Sequence, residues 1–248
     1  MSKSCQNRLH IHLTLATLSM FSHENFEDCM DHKIELKDVG HYFDTPHGRI
    51  SLFDKLSLSF SGGSTHAIVG PSGVGKSSLL SLAAGLELPR LGEIIFTCDG
   101  EQISPVKLRQ RSGFVFQQFH LMQELDAIGN IALPLRLNGN KQAYDIAREW
   151  LKKINLDDRA NHKPTQLSGG EQQRVAIARA FVSNPAFIFA DEPTGNLDEA
   201  TSNNVADLMF DFAKETGSAL IIVTHSSALA ERADNCFALS EAHLEKIK

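Results

Sequence analysis

The stretch Gly70-Pro71-Ser72-Gly73-Val74-Gly75-Lys76-Ser77 constrains this chain more than any other. It fits the pattern G-x-x-x-x-G-K-[ST]. Polyphosphate needs many hydrogen-bond donors at close range, so backbone N–H groups must wrap it and side chains would obstruct; hence Gly70, Gly73 and Gly75. Pro71, Ser72 and Val74 complete the loop. The helix that follows points its partly positive N-terminus at the phosphates. Lys76 adds a full charge for the β and γ phosphates, the Ser77 hydroxyl can ligate Mg²⁺, and Ser78 follows in the first helical turn. A Gly-rich turn that merely caps a helix is the bland alternative. It is weakened by the context, a short apolar strand His66 to Val69 before the loop and a helix Lys76 to Ala84 after it, stopped by Gly85. The pattern implies binding of ATP or GTP.

The rest of the chain alternates in the same way. Ile34 to Val39 and Leu56 to Phe60 alternate apolar with polar residues, as half-buried strands do. Glu93 to Thr97 and Gly113 to Phe116 are further strands. From about Gln118 to Pro164 the pattern is helical, with Ala143, Ile146, Ala147, Trp150, Leu151 and Ile154 on one stripe. A new helix starts after Gly170. Ala186 to Ala190 and Ala219 to Val223 are unbroken apolar runs, expected of central parallel strands covered on both faces. Val205, Leu208, Met209 and Phe212 mark a helix between them. Alternating strands and helices predict an α/β fold: a mostly parallel sheet flanked by helices, an added antiparallel β layer from the early strands, and an inserted helical subdomain at about 118–165. Residues 1–31 are expected to be an N-terminal extension, with the domain running over 32–248. Within the extension, Leu9 to Phe21 is too short and too interrupted to cross a bilayer. A chain starting at Met30 would still hold the whole domain.

Composition excludes some partners. Lys and Arg total 24 against 30 Asp and Glu, a formal net charge of -6. That balance argues against binding nucleic acid through a broad basic surface. Cys5, Cys29, Cys98 and Cys236 are far apart and form no CxxC pair, so neither zinc nor a disulfide framework is indicated, and reduced thiols are expected.

Phe187-Ile188-Phe189-Ala190-Asp191-Glu192 is an apolar strand ending in two acids. Ligands of open α/β sheets bind beyond the carboxyl ends of the strands. Asp191 is therefore expected beside the phosphate loop, holding Mg²⁺ directly or through water. Glu192 is placed to orient and polarise an attacking water. Two acids opening a surface loop is the bland reading; beside a phosphate loop it is weak.

Leu167-Ser168-Gly169-Gly170-Glu171-Gln172-Gln173-Arg174 resembles the LSGGQ signature of ABC ATPases. Physically it is another anion site, a Ser and two glycines at a helix N-terminus. Other stations of that family follow in order. Gln117 resembles the Q-loop glutamine that touches Mg²⁺ or water and links nucleotide to a membrane partner. Gly195-Asn196-Leu197-Asp198 resembles the D-loop. His225, at the end of Ile221-Ile222-Val223-Thr224, resembles the switch histidine near the γ-phosphate; only its position separates it from the other ten histidines of the 11. Phe43, rather than Tyr42, matches the aromatic that stacks on adenine. Within the family, Asp191-Glu192-Pro193-Thr194-Gly195-Asn196-Leu197-Asp198, with Asn130 to Leu135, is similar to the branch of bacterial lipoprotein-releasing, macrolide-export and cell-division ATPases. Members of that branch carry no C-terminal regulatory domain, which agrees with the short stretch after His225.

The resemblance covers about residues 33–248 and implies a P-loop NTPase core that binds ATP and Mg²⁺. Catalysis would fall to Glu192, His225, Lys76 and Gln117, and metal binding to Ser77, Gln117 and Asp191. Ser168, Gly169, Gly170 and Asp198 would meet nucleotide held by a second copy in a head-to-tail dimer. A separate polytopic membrane permease is the further partner implied, no nucleic acid is expected, and the chain would sit in the cytoplasm on the inner face of the cell membrane, driving export or extraction. The competing readings are a soluble ABC ATPase of DNA repair or translation, which would carry long coiled coils or two such domains, and a mechanical signalling ATPase that moves no cargo.

Overall fold

The computed structural model describes residues 31–46, 48–240 and 243–248. The expected extension lies outside the described residues but for Asp31, as do Cys5 and Cys29. Asp31–Lys248 forms one compact unit.

Two sheets organise it. The antiparallel one has the order β2-β1-β4-β5, from β1 (His32–Thr45), β2 (Gly48–Ser61), β4 (Leu91–Cys98) and β5 (Glu101–Ile103). The other has the order β10-β9-β3-β8-β7-β6, from β3 (Thr65–Val69), β6 (Ser112–Phe116), β7 (Phe187–Asp191), β8 (Ala219–Thr224), β9 (Asn235–Ser240) and β10 (His243–Lys246). Every pairing in this second sheet is parallel except β9 with β10. The helices are α1 (Lys76–Ala83), α2 (Pro105–Gln110), α3 (Ala127–Leu137), α4 (Ala143–Lys153), α5 (Gly169–Phe181), α6 (Glu199–Thr216) and α7 (Ser227–Glu231).

The apolar runs lie where both faces of a strand are covered. On β7, Phe187 and Phe189 enter the core shared with the antiparallel sheet and α1, beside Phe53, Phe60 and Leu79. Ile188 and Ala190, pointing the other way, join the core under α3 to α6, with Ile131, Trp150, Val175 and Phe181. Strand side chains alternate faces, so one apolar run feeds two cores. Trp150 anchors α4 by an edge-on contact with Phe212 at 4.9 Å between ring centroids.

Some boundaries differ from the expectation. The helical stretch begins at Ala127, not near Gln118, because residues 117–126 are held by side chains instead of a helical ladder. Buried Asn130 donates to the carbonyls of Met122, Leu125 and Asp126 and accepts from the Met122 N–H at 2.8 Å. Asp126 caps α3 by accepting from the Gly129 N–H. Helix α5 starts two residues earlier than expected, at Gly169. Cys236 is free and buried.

Candidate functional site

Three parallel strands deliver the site. β3 runs into the phosphate loop, β7 ends at Asp191 with Glu192 the next residue, and β8 ends just before His225. Neighbours in one parallel sheet end at the same edge, so residues more than a hundred positions apart converge there.

Within the loop, Gly75 is the residue before α1 and has φ 103, with Phe53 packed 3.1 Å from where a Cβ would stand. Any other residue there would meet both backbone strain and that ring. Lys76 is 8% exposed. Its Nζ donates to the carbonyls of Gly70 (2.9 Å) and Pro71 (3.0 Å) and stands 3.9 Å from Glu192 Oε1. Ser77 Oγ donates to Asp191 Oδ1 at 3.0 Å. Burial pushes the Asp191 carboxyl above its ordinary pKa; the Ser77 hydrogen bond opposes this, the Glu192 charge reinforces it, and Lys76 opposes it.

Glu192 sits in the left-handed region at φ 45. For a residue with a Cβ this is a costly backbone, of the kind stored at functional sites. It turns the side chain back over the sheet edge. Glu192 Oε2 lies 3.0 Å from His225 Nδ1 and accepts the His225 N–H at 3.3 Å. The His225 side chain itself is 69% exposed. Phe43 is 42% exposed near the tip of the β1–β2 hairpin, its ring edge-on to buried His41.

The fit for a divalent cation can be tested on the donors. Ser77 Oγ and Asp191 Oδ1 are adjacent hard oxygens, which suit Mg²⁺. No group of three or more His, Cys, Asp or Glu could hold a metal among the described residues. Such a pair fits an ion that keeps its remaining ligands from phosphate and water.

The signature residues form a second locus. Ser168 caps α5: its Oγ accepts the Glu171 N–H at 3.3 Å, and Glu171 Oε2 accepts the Ser168 N–H at 2.7 Å. This reciprocal box leaves the N-terminus of α5 ordered in the chain alone. Ser168, Gly169 and Gly170 line a cleft of about 690 Å³ with Asn196, Leu197 and Asp198. Asp198 caps α6 by accepting from the Thr201 N–H at 3.0 Å.

Gln117 is not near enough to Ser77 or Asp191 to bond either. It is paired with Asn196: Gln117 Nε2 donates to Asn196 Oδ1 at 2.9 Å, and Asn196 Nδ2 donates to the Gln117 carbonyl at 3.0 Å. Sequence reasoning gave no role of their own to three site-building residues, two of which it met only as members of a motif. Asn196 is one. Buried Gln173 is another, its Nε2 donating to the Pro193 carbonyl at 2.5 Å and so tying α5 to the segment after Glu192. The third is Arg179, on the last turn of α5, which donates to the carbonyls of Phe119 and His120. Each bond joins residues far apart in the chain, and no local pattern signals them.

Comparisons with known proteins follow this geometry. The family described as "ABC transporter" matches residues 53–195. The lipoprotein-releasing system ATP-binding protein LolD of Legionella pneumophila (strain Paris) is 46% identical over 203 residues, 79% of this chain and 89% of that protein. LolD of Rickettsia bellii (strain RML369-C) is 39% identical over 218 residues, 87% of this chain and 99% of that protein. Among solved structures, the dimeric post-hydrolysis state of the ATP-binding cassette MJ0796 bound to ADP and Pi superposes with a TM-score of 0.76 at 34% identity, covering 87% of this chain and 99% of that one.

Proposed function

This chain belongs to the ABC transporter family as an ATP-binding, ATP-hydrolysing subunit that works with a membrane component, and from that premise we propose how its residues divide the work and what it moves. Two copies pair head to tail, so that the phosphate loop of one faces Ser168, Gly169 and Gly170 of the other across bound ATP. The dimeric form of the similar cassette MJ0796 supports this. Residues 32–248 make up the motor domain, with the 118–165 insertion carrying contacts to the membrane partner. The cargo is lipoprotein, extracted from the membrane. The LolD relatives support that reading, since most of this chain aligns with them. No helix among the described residues is long and apolar enough to cross a membrane, and the chain is assigned to the cytoplasmic face of the cell membrane beside its permease.

The observation that carries the mechanism is the convergence of Lys76, Ser77, Asp191, Glu192 and His225 at one sheet edge. Lys76 exchanges its bonds to the Gly70 and Pro71 carbonyls for the β and γ phosphates, while the loop amides hold the remaining oxygens. Ser77 and Asp191 would hold Mg²⁺, which would supply charge neutralisation to the phosphates. Glu192 orients the attacking water and takes its proton at Oε1 or Oε2. His225, on Glu192 through its Nδ1, keeps that carboxylate aimed and presents its exposed ring to the γ-phosphate. Phe43 stacks on adenine. Gln117, on leaving Asn196, would be the further side-chain oxygen available to such an ion or its water. Fixed positive groups and aligned dipoles aimed at developing charge are the dominant catalytic contribution in phosphoryl transfer.

The test is Glu192→Gln. Removing a general base costs about two to three decades of turnover while a neutral isostere leaves binding in place. ATPase assays and nucleotide titration of the same preparation are the measurement. Turnover retained within about threefold would refute the role given to Glu192.

A further inference from the structure

After Gln117 the backbone passes through two consecutive non-glycine residues in the left-handed region, Phe119 at φ 59 and His120 at φ 48. Such a turn persists only where its surroundings over-determine it. Here the surroundings include one side chain. Arg179 Nη1 donates to the His120 carbonyl at 2.7 Å, and its Nη2 donates to the Phe119 carbonyl at 3.0 Å. A planar guanidinium can bridge two carbonyls at once, whereas a lysine ammonium is a point donor. Asn130 secures the later part of the same loop, at Met122 to Asp126, and the Gln117 side chain is hydrogen-bonded to Asn196.

The bridge has a second end. The Phe119 ring lies beside Gly169, 3.7 Å from where its Cβ would stand. Gly169 is the first residue of α5, and Arg179 sits in the last turn of the same helix. The strained turn is therefore gripped from both ends of the helix whose N-terminus carries the signature residues.

We propose that Arg179 is a positioning residue for ATP turnover: its fork on the Phe119 and His120 carbonyls holds the left-handed turn that presents Gln117, and makes the placement of Gln117 depend on the placement of α5. The inference rests on the reading of Gln117 as a nucleotide-site residue. It gives each chain a link between the two half-sites it serves, its own phosphate loop through Gln117 and the partner's nucleotide through Ser168.

A double-variant cycle on the full chain tests it, with steady-state ATPase as the readout. Gln117→Ala is expected to lower turnover. Arg179→Lys is expected to lower it about tenfold, with KM for ATP changed by less than about twofold. Combining them should be no slower than Gln117→Ala alone by more than about twofold, because the two residues act through one element. Losses that multiply would overturn the proposal. Wild-type turnover in Gln117→Ala alone would remove its premise, a separate outcome. His120→Gly in the Arg179→Lys background guards against a merely structural effect. Glycine takes the left-handed conformation at no steric cost, so the turn needs the fork less, and turnover should recover at least about threefold over Arg179→Lys. No recovery, with both proteins folded by their melting curves, would also overturn the proposal.

Discussion

At the phosphate loop, charge is concentrated and internally paired. Lys76 rests on two loop carbonyls, Ser77 on Asp191, and Glu192 on His225. At the signature end, the donors are backbone amides and a hydroxyl at the start of α5, already capped by Glu171. The first locus carries the ionised groups that phosphoryl transfer needs. The second carries a helix N-terminus, and the charged groups around it, Glu171, Arg174 and Asp198 among them, line a cleft that lies away from the phosphate loop. The difference teaches that the two loci fail differently. Damage to the first should alter what a single chain does with nucleotide. Damage to the second should appear in turnover, which needs two chains and the α5 link to Gln117, and not in the binding of nucleotide by one chain.

Glu192→Gln sets the upper end of that comparison, with the loss of two to three decades of turnover. Gly170→Ala comes next and separates the loci most sharply. A Cβ at Gly170 would stand 2.5 Å from Thr201 Cγ2. The β-branched side chain of Thr201 has little freedom to yield, so α5 must shift. Turnover should fall about tenfold while ATP affinity of the dilute chain is unchanged, read by titration at low protein concentration. Equal losses in both would break the proposed separation.

A smaller effect belongs to the first locus. Phe43→Ala removes the exposed ring assigned to adenine and should raise KM for ATP about fivefold with kcat unchanged, as uniform binding is lost. A kcat effect without a KM effect would move Phe43 out of the base site.

The smallest expected effect lies away from both loci, at the amino end of β3. Asp234 accepts from the Thr65 N–H at 2.9 Å and from its hydroxyl at 2.7 Å, and these bonds hold its carboxyl below the ordinary aspartate range. A depressed folded pKa contributes stability that is present above the unfolded value, about 3.9, and lost as pH falls through the folded one. Asp234→Asn should flatten the acid limb of the Tm-versus-pH curve below about pH 4 and leave turnover at neutral pH alone. Altered turnover would mean that the far end of the sheet is coupled to the site.

The residues that meet phosphate were legible because the chemistry is local. A Gly-rich loop before a helix, an acid at a strand end and a Ser-Gly-Gly helix start each need only a few consecutive positions, and period and order sufficed to place β3, β7, β8 and the helices after β3 and β7. The apolar runs of β7 and β8 announced two buried faces for the same reason. Short elements without periodicity, α2 and β5 among them, were not legible, nor were β9 and the edge strand β10, which are defined by pairing rather than by pattern. Tertiary structure alone decided the long-range bonds: Gln117 with Asn196 across 79 positions, Arg179 with Phe119 across 60, Thr65 with Asp234 across 169. A hydrogen bond between distant residues depends on where the folded core delivers both ends. By itself, then, the sequence determined the chemistry available at this sheet edge, because phosphate recognition is written in contiguous residues. Only the fold decided how the two loci are tied together, because that tie runs through α5 and a strained turn that no short pattern encodes.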